Sequence, residues 1–147
     1  MLIYKENFDL FDAPKGTLLM HSCNAQGIWG SGVALQFKEK FFVEYEMYNI
    51  YCNAGPEFTL GTGIIFNRVA CIIASNGYSH KVDDNETILK NTETSIKMII
   101  DNSNGPIYLP KINSGLFKVP WEKTELIIKE FVKHRDFYVC LGKNQFI

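Results

Sequence analysis

The segment HSCNAQGIWGSGVALQF, from His21 to Phe37, changes from one secondary structure to another across a single turn. It begins as the polar end of an apolar run, passes through three glycines and a tryptophan, and ends as an amphipathic helix. In an open α/β sheet, ligands collect at the carboxyl ends of strands, where helix N-termini point their N–H groups outward. The segment therefore predicts an α/β fold with a binding site at this junction.

A second segment, LPKINSGLFKVPWEKTELIIKEF at 109–131, has the same order of strand, glycine-containing turn and helix. Its strand is predicted at 107–109 and is halted by Pro110, which lacks the N–H of a sheet ladder. Pro120 is expected to be the first helical residue, because its missing N–H costs nothing there. The chain thus contains two strand–turn–helix junctions of the same kind, and we expect them to serve the same purpose.

The rest of the chain alternates short apolar runs with helical patterns, which is typical of α/β architecture. Strands are predicted at 2–4, 17–20, 63–66, 69–74 and 137–141, with a hairpin turn at 67–68. Helices are predicted at 31–41, 43–52 and 86–100, the last capped by one of residues 83–85. No repeat, low-complexity tract or linker interrupts the pattern, so we expect one domain over residues 1–147.

The composition indicates which kinds of binding partner are expected. The chain has 147 residues, of which 46% are hydrophobic and 21% charged, and its formal net charge is −1. These values are typical of an ordinary globular protein. Because Lys and Arg are scattered, neither a nucleic acid nor a membrane is expected as the main partner. We expect a monomer that binds a small molecule.

The cysteines indicate a reducing environment. Cys23, Cys52, Cys71 and Cys140 form no CxxC or Cys/His metal pattern. Their even number would allow a disulfide framework, but we expect free thiols. The N-terminus lacks the basic start and long apolar stretch of a signal peptide. We therefore expect a cytoplasmic protein, and we assign it no metal ligand and no cofactor.

The glycines of the two turns suit a phosphate or pyrophosphate. Gly27, Gly30, Gly32 and Gly115 let the backbone approach a ligand closely, and N–H groups can then hold an anion without charged side chains. The P-loop pattern GxxxxGK[ST] is absent, and the glycine order differs from GxGxxG. The alternative is that these glycines only form turns.

Four blocks of the sequence resemble the macro domain family, which binds ADP-ribose, and within it the branch of small ADP-ribose 1''-phosphate phosphatases. The blocks are FDLFDAP at 8–14, HSCNAQGIWGSGVALQF at 21–37, YSHK at 78–81 and LPKINSGLFKVPWEKTE at 109–125. They follow the family's order over most of the chain. The resemblance implies a three-layer α/β/α sandwich with a mixed central sheet, and ADP-ribose or its 1''-phosphate as the ligand.

The resemblance also implies roles for individual residues. Asp9 matches the acidic residue that accepts a hydrogen bond from the adenine amino group, and Asn24 matches the position facing the distal ribose. Residues 30–33 match the first phosphate loop, and residues 113–117 match the second. The implied substrate-binding set is Asp9, Leu10, Cys23, Trp29, Gly30, Ser31, Gly32, Val33, Ile112, Asn113, Ser114, Gly115, Leu116 and Phe117.

Several of these residues also have purely structural interpretations. Asp9 could cap a helix or turn, and Asn24 could be an ordinary asparagine at a strand end. Trp29 either packs over the ribose or fills the core beneath the loop. Phe117 either covers the distal ribose and phosphate or plugs the core. Cys23 lies near the expected site but is not assigned as a nucleophile.

A histidine is the natural candidate for proton transfer, because its pKa lies near neutrality. His21, at the strand end, either moves a proton at the distal ribose or ties two loops together as a buried residue. We assign the catalytic roles to His21 and Asn24. His80 is either a second site residue or a brace for the loop before the 86–100 helix, and the brace is the preferred interpretation.

Two functions compete. A neighbouring macro branch releases ADP-ribose from glutamate with a lysine and an aspartate, but the matching positions here are Ser75 and Phe117. No carboxylate cluster suggests a metal, so we expect metal-independent hydrolysis of ADP-ribose 1''-phosphate, with the loops neutralising the phosphate while water attacks. The alternative is a non-catalytic module that binds ADP-ribose, free or attached to protein.

Overall fold

The fold is built around one mixed β-sheet. The computed structural model describes residues 1–142, and within them six strands form a single sheet. The strands are β1 (Leu2–Glu6), β2 (Leu18–Asn24), β3 (Gly63–Phe66), β4 (Val69–Ser75), β5 (Ile107–Leu109) and β6 (Phe137–Leu141). Their order is β1-β6-β5-β2-β4-β3, and every pair is parallel except the β3–β4 hairpin.

Helices cover both faces of this sheet. They are α1 (Gly32–Lys40), α2 (Phe42–Cys52), α3 (Pro56–Thr59), α4 (Asn85–Asp101) and α5 (Trp121–Lys129). One apolar core lies between the sheet and α1 and α2, and a second lies between the sheet and α4 and α5. The three-layer α/β/α fold with a mixed sheet is therefore confirmed. No helix in the described part of the chain is long and apolar enough to cross a membrane.

The predicted strands and helices agree with the structure to within a few residues, with two informative differences. Strand β2 continues to Asn24, beyond the predicted end at residue 20, because its pairing with β4 extends along the polar residues. Pro120 is the residue before α5 rather than its first helical residue, with φ −54° and an extended ψ of 131°. The cap of α4 is Asp84, whose carboxylate accepts the Thr87 N–H at 2.8 Å.

Candidate functional site

A cleft of about 610 Å³ opens at the carboxyl ends of β2 and β5. Three segments that follow strands form its walls. They are the end of β2 with the following loop (residues 22–34), the turn at residues 78–80 after β4, and the irregular segment 110–118 after β5. Parallel strands bring these segments together because their carboxyl ends meet at one edge of the sheet.

The N-terminus of α1 faces this cleft. Ser31 precedes the helix and makes no side-chain cap, and Gly32 adopts the left-handed φ of 62° that favours glycine. The first N–H groups of a helix have no partner within it, and they carry the positive end of its dipole. Gly30, Ser31, Gly32, Val33 and Ala34 all line the cleft. This wall is suited to an anion.

The second loop is fixed by the side chain of Asn113, which is buried. Its Oδ1 accepts the Ser22 hydroxyl of β2 at 2.6 Å, and its Nδ2 donates to Thr92 of α4 at 3.0 Å and to Thr124 of α5 at 3.3 Å. The backbone of Asn113 is left-handed, with φ 69°. Asn113 lines the cleft, but its amide serves the fold rather than a ligand.

The turn after β4 brings His80 to the cleft. The Ser75 hydroxyl donates to the Gly77 carbonyl at 2.7 Å and accepts the Asp83 N–H at 3.0 Å, which closes the loop between them. Tyr78, Ser79 and His80 then line the wall, and all three are exposed. His80, for which a bracing role was preferred, thus lies where a ligand would contact it.

The charge of the cleft is one-sided. Lys111, Lys118 and His80 line it, whereas no carboxylate does so among the residues that the structure describes. The whole chain has a formal net charge of −1, so the basic character is local. Basic side chains and unpaired N–H groups in the same cleft create a positive electrostatic potential, which attracts an anionic ligand.

Asn24 holds the first loop in place. Its Oδ1 accepts the Gln26 N–H at 3.0 Å, and its Nδ2 donates to the Ile28 carbonyl at 2.8 Å. The buried Tyr48 hydroxyl donates to the Asn24 backbone carbonyl. Asn24 lines the cleft, but its side chain is occupied by bonds within its own loop. These bonds agree with the alternative interpretation of Asn24 as an ordinary asparagine at a strand end.

The structure corrects the expected place of His21. Its side chain has no solvent exposure and does not line the cleft. The imidazole stacks on Phe37 with ring centroids 3.9 Å apart, and it meets the edge of Trp29 at 4.7 Å. Residues alternate sides along a strand, and at position 21 the side chain points into the core beneath α1. Trp29 is fully buried in the core beneath the loop, and it also lines the floor of the cleft.

Three expected binding residues, Asp9, Leu10 and Ser114, lie outside the cleft lining. Leu10 is fully buried in the core on the α1 side. Asp9 is exposed and caps the turn at Leu10–Asp12, accepting the Phe11 N–H at 2.9 Å, so its adenine contact stays a prediction. Ser114 donates its hydroxyl to the Lys111 carbonyl at 2.7 Å, within its own loop. The remaining residues of the expected set line the cleft, with Cys23 and Ile112 buried there.

Beneath the cleft lies a cluster of side chains that the sequence did not predict. The ligand atoms of His21, Cys23 and Cys71, all buried, lie within 4.8 Å of one another. Burial alone raises the pKa of the Cys23 thiol, but a hydrogen bond from Cys71, the charge of His21, and hydrogen bonds from His21 and Trp29 hold it below its ordinary value. The pKa of Cys71 is raised by burial and by the Cys23 sulfur. The cluster joins two strands, so no sequence spacing reveals it.

The family of the chain follows from comparison with known proteins. The model of the macro domain matches residues 20–128, which is more than half of the chain. The matched region contains both glycine loops and the turn at residues 78–80. The chain therefore belongs to the macro domain family, and the resemblance of its sequence blocks is confirmed.

Individual relatives and solved structures agree with this assignment. The ADP-ribose 1''-phosphate phosphatase of Meyerozyma guilliermondii is 30% identical, over 89% of this chain and 94% of that protein. The protein of the same name from Candida albicans is 34% identical, over 86% and 90%. The macrodomain of Mycobacterium tuberculosis DarG superposes with a TM-score of 0.80 at 18% identity, over 98% and 99% of the two chains.

We predict that Asn113→Asp destabilises the unliganded protein by about 2–3 kcal/mol. The change keeps the size and shape of the side chain but removes both N–H donors, so Thr92 and Thr124 lose a buried partner and a carboxylate is buried in its place. The free energy of unfolding in urea, followed by circular dichroism, measures the effect.

Asn7→Asp is the matched control. Asn7 is also left-handed, with φ 53°, but it is exposed, so the same change should alter stability by less than about 0.5 kcal/mol. Equal unfolding midpoints for the two variants would show that the Asn113 amide does not hold the loop.

Proposed function

We propose that this macro domain hydrolyses ADP-ribose 1''-phosphate to ADP-ribose and inorganic phosphate without a metal ion. The observation that carries the proposal is the cleft, which combines unpaired N–H groups of α1 with Lys111, Lys118 and His80 and has no carboxylate among the described residues. The relatives named for this activity, at up to 34% identity over most of the chain, support the same substrate.

The phosphates are bound in two places. The N–H groups at residues 30–34 are suited to the pyrophosphate, as helix N-termini are in other phosphate sites. The segment 110–118 supplies two lysines, and these neutralise the terminal phosphate. A site of this kind accelerates phosphoryl transfer mainly by positioning the phosphate and stabilising its charge.

The reaction needs a water molecule and a proton. Water attacks the phosphorus, the bond between phosphorus and the 1''-oxygen breaks, and that oxygen takes up a proton to give the ribose hydroxyl. His21 is buried away from the cleft, so we assign the proton transfer to His80, the histidine that lines the wall. Mg²⁺ prefers carboxylate oxygens, and the described cleft residues offer none, which supports a metal-independent reaction.

Two observations bear on the alternatives. Ser75, at the position of the lysine used by the glutamate-specific branch, is buried and bonded within its own loop, so removal of ADP-ribose from glutamate is disfavoured. Among the described cleft residues, no carboxylate is present to assist His80 as a second acid–base group. That absence favours, as the second candidate, a module that binds ADP-ribose without catalysis.

We further propose that the protein works as a monomer in the cytoplasm. Its four cysteines are free thiols, which supports a reducing compartment, since disulfides are rare there.

The direct test is phosphate release from ADP-ribose 1''-phosphate. We expect the purified protein to release phosphate at the same rate in EDTA and with added Mg²⁺. A rate that requires Mg²⁺ would overturn the metal-independent mechanism. Tight binding of ADP-ribose by calorimetry with no phosphate release in either condition would leave the binding module as the function.

We predict that His80→Ala lowers kcat by about 10²-fold, the usual effect of losing an acid–base group, with little change in ADP-ribose affinity. His134→Ala is the matched control, because His134 is exposed and does not line the cleft. Single-turnover phosphate release measures both variants. Wild-type turnover in His80→Ala would return His80 to a bracing role.

We predict that Gly32→Glu weakens ADP-ribose binding by at least about 100-fold, because it places a carboxylate where the α1 N-terminus faces the ligand. Gly16→Glu is the matched control, since Gly16 is also left-handed, with φ 87°, and its Cβ would meet open space. Calorimetry on both folded variants measures the effect. Unchanged affinity in Gly32→Glu would place the pyrophosphate elsewhere.

A further inference from the structure

The buried cluster of His21, Cys23 and Cys71 is not used by the proposed reaction, and its chemistry is that of a metal site. His21 lies directly opposite Cys71 in the parallel β2–β4 ladder, and Cys23 follows two residues later on the same face of β2. Imidazole and thiolate are the ligands preferred by zinc and by monovalent copper. Three such side chains on two rigid strands form a preorganised set.

The distances agree with a shared ion. The Cys23 Sγ lies 3.7 Å from Nε2 and 3.8 Å from Nδ1 of His21, and the ligand atoms of all three residues lie within 4.8 Å of one another. In a site with bonds of about 2.3 Å to sulfur and about 2.0 Å to nitrogen, ligand atoms lie roughly 3.5–4 Å apart. The side chains therefore need only small rotations to meet one ion.

The register of the β2–β4 pair does not allow a disulfide between Cys23 and Cys71, because Cys71 lies opposite His21 rather than opposite Cys23. Adjacent strands lie about 4.8 Å apart, and an offset of two residues adds about 6.6 Å along the strand, so the two Cα atoms are about 8 Å apart. Disulfides rarely exceed about 7 Å between Cα atoms. A metal ion bridges the two sulfurs without moving the backbone.

The polar groups around the cluster also lack ordinary partners. Trp29 Nε1 is buried and has no hydrogen-bond partner among residues 1–142, and the Trp29 ring lies beside the His21 imidazole with ring centroids 4.7 Å apart. Both ring nitrogens of His21 lie within 3.8 Å of the Cys23 sulfur. A buried thiolate is costly unless a cation compensates it. With two thiolates and a neutral imidazole as ligands, Zn²⁺ would leave no net charge and Cu⁺ would leave a single negative charge.

We propose that His21, Cys23 and Cys71 bind one thiophilic d¹⁰ metal ion, Zn²⁺ or Cu⁺, beneath the cleft. The stacked Phe37 ring holds the imidazole in position. Cys23 reaches the floor of the cleft, whereas His21 and Cys71 do not, so the ion enters from that side. Binding releases the proton of any ligand thiol that is still protonated. The site takes no part in the proposed chemical step, and its test measures metal binding rather than phosphate release.

Metal titration tests the proposal. Metal-free protein, kept reduced and anaerobic, is titrated in separate arms with Zn²⁺ and with Cu⁺ against a colorimetric chelator, and Co²⁺ serves as a spectroscopic substitute for zinc. We expect one equivalent to bind in at least one arm, with a thiolate-to-cobalt charge-transfer band. Cys23→Ala and Cys71→Ala should each weaken binding by at least about 100-fold, beyond the effect of a lost outer-shell contact.

Cys140→Ala is the matched control, because Cys140 is also a buried free thiol but lies outside the cluster, and it should bind metal as the wild type does. If a variant fails to fold, alkylation of the wild type decides. All four thiols are buried, so labelling with iodoacetamide is done at a urea concentration that opens the core, and bound metal should slow the labelling of Cys23 and Cys71 more than that of Cys52 and Cys140. No stoichiometric binding in either arm, or full binding by folded Cys71→Ala, would overturn the site.

Discussion

The buried amide of Asn113 is the contact on which the geometry of the cleft depends. It joins β2, α4 and α5 to one loop, so the sheet and both helices of that layer fix the position of the second wall. The left-handed backbone at this residue turns the chain back into the cleft, and the Asn113 carbonyl accepts the Val119 N–H at 2.8 Å. Asparagine suits this position because it tolerates a left-handed backbone and also supplies both donors and an acceptor. Asn24 plays the same part for the first wall.

Two walls held by side-chain amides leave the backbone N–H groups free for a ligand. A macro domain with a formal net charge of −1 can therefore bind a strongly anionic molecule without a large basic surface. The two lysines and the histidine of the cleft add a local field, and the absence of carboxylates among the described lining residues keeps that field uniform. This arrangement favours a phosphorylated ligand. Because no acidic side chain in the described wall balances the charge of the basic groups, a phosphate is the group that can do so.

The sequence predicted the elements of the fold well, because strands and helices depend on local periodicity. It predicted the loops after β2 and β5 as cleft segments for a related reason, since each follows a strand that ends at one edge of the sheet. The roles of single side chains were less accessible. His21 and Ser22 are neighbours at the end of β2, yet Ser22 faces Asn113 while His21 faces Phe37, and only the register of the whole sheet decides which side each takes. His80 depends on a loop closed by Ser75 and Asp83, which no periodicity describes.

The alternation that removes His21 from the cleft also creates the cluster beneath it. His21, Cys23 and Cys71 lie on the same face of the paired strands β2 and β4. When the His21 imidazole is buried on that face, it therefore lies next to the thiols of Cys23 and Cys71. Cys23 and Trp29 belong both to the surroundings of this cluster and to the floor of the cleft. An ion held there would join β2 to β4 directly below the first loop. Its effect on ligand binding would therefore be transmitted through the rigidity of the cleft floor, while the groups that contact the phosphates stay unchanged.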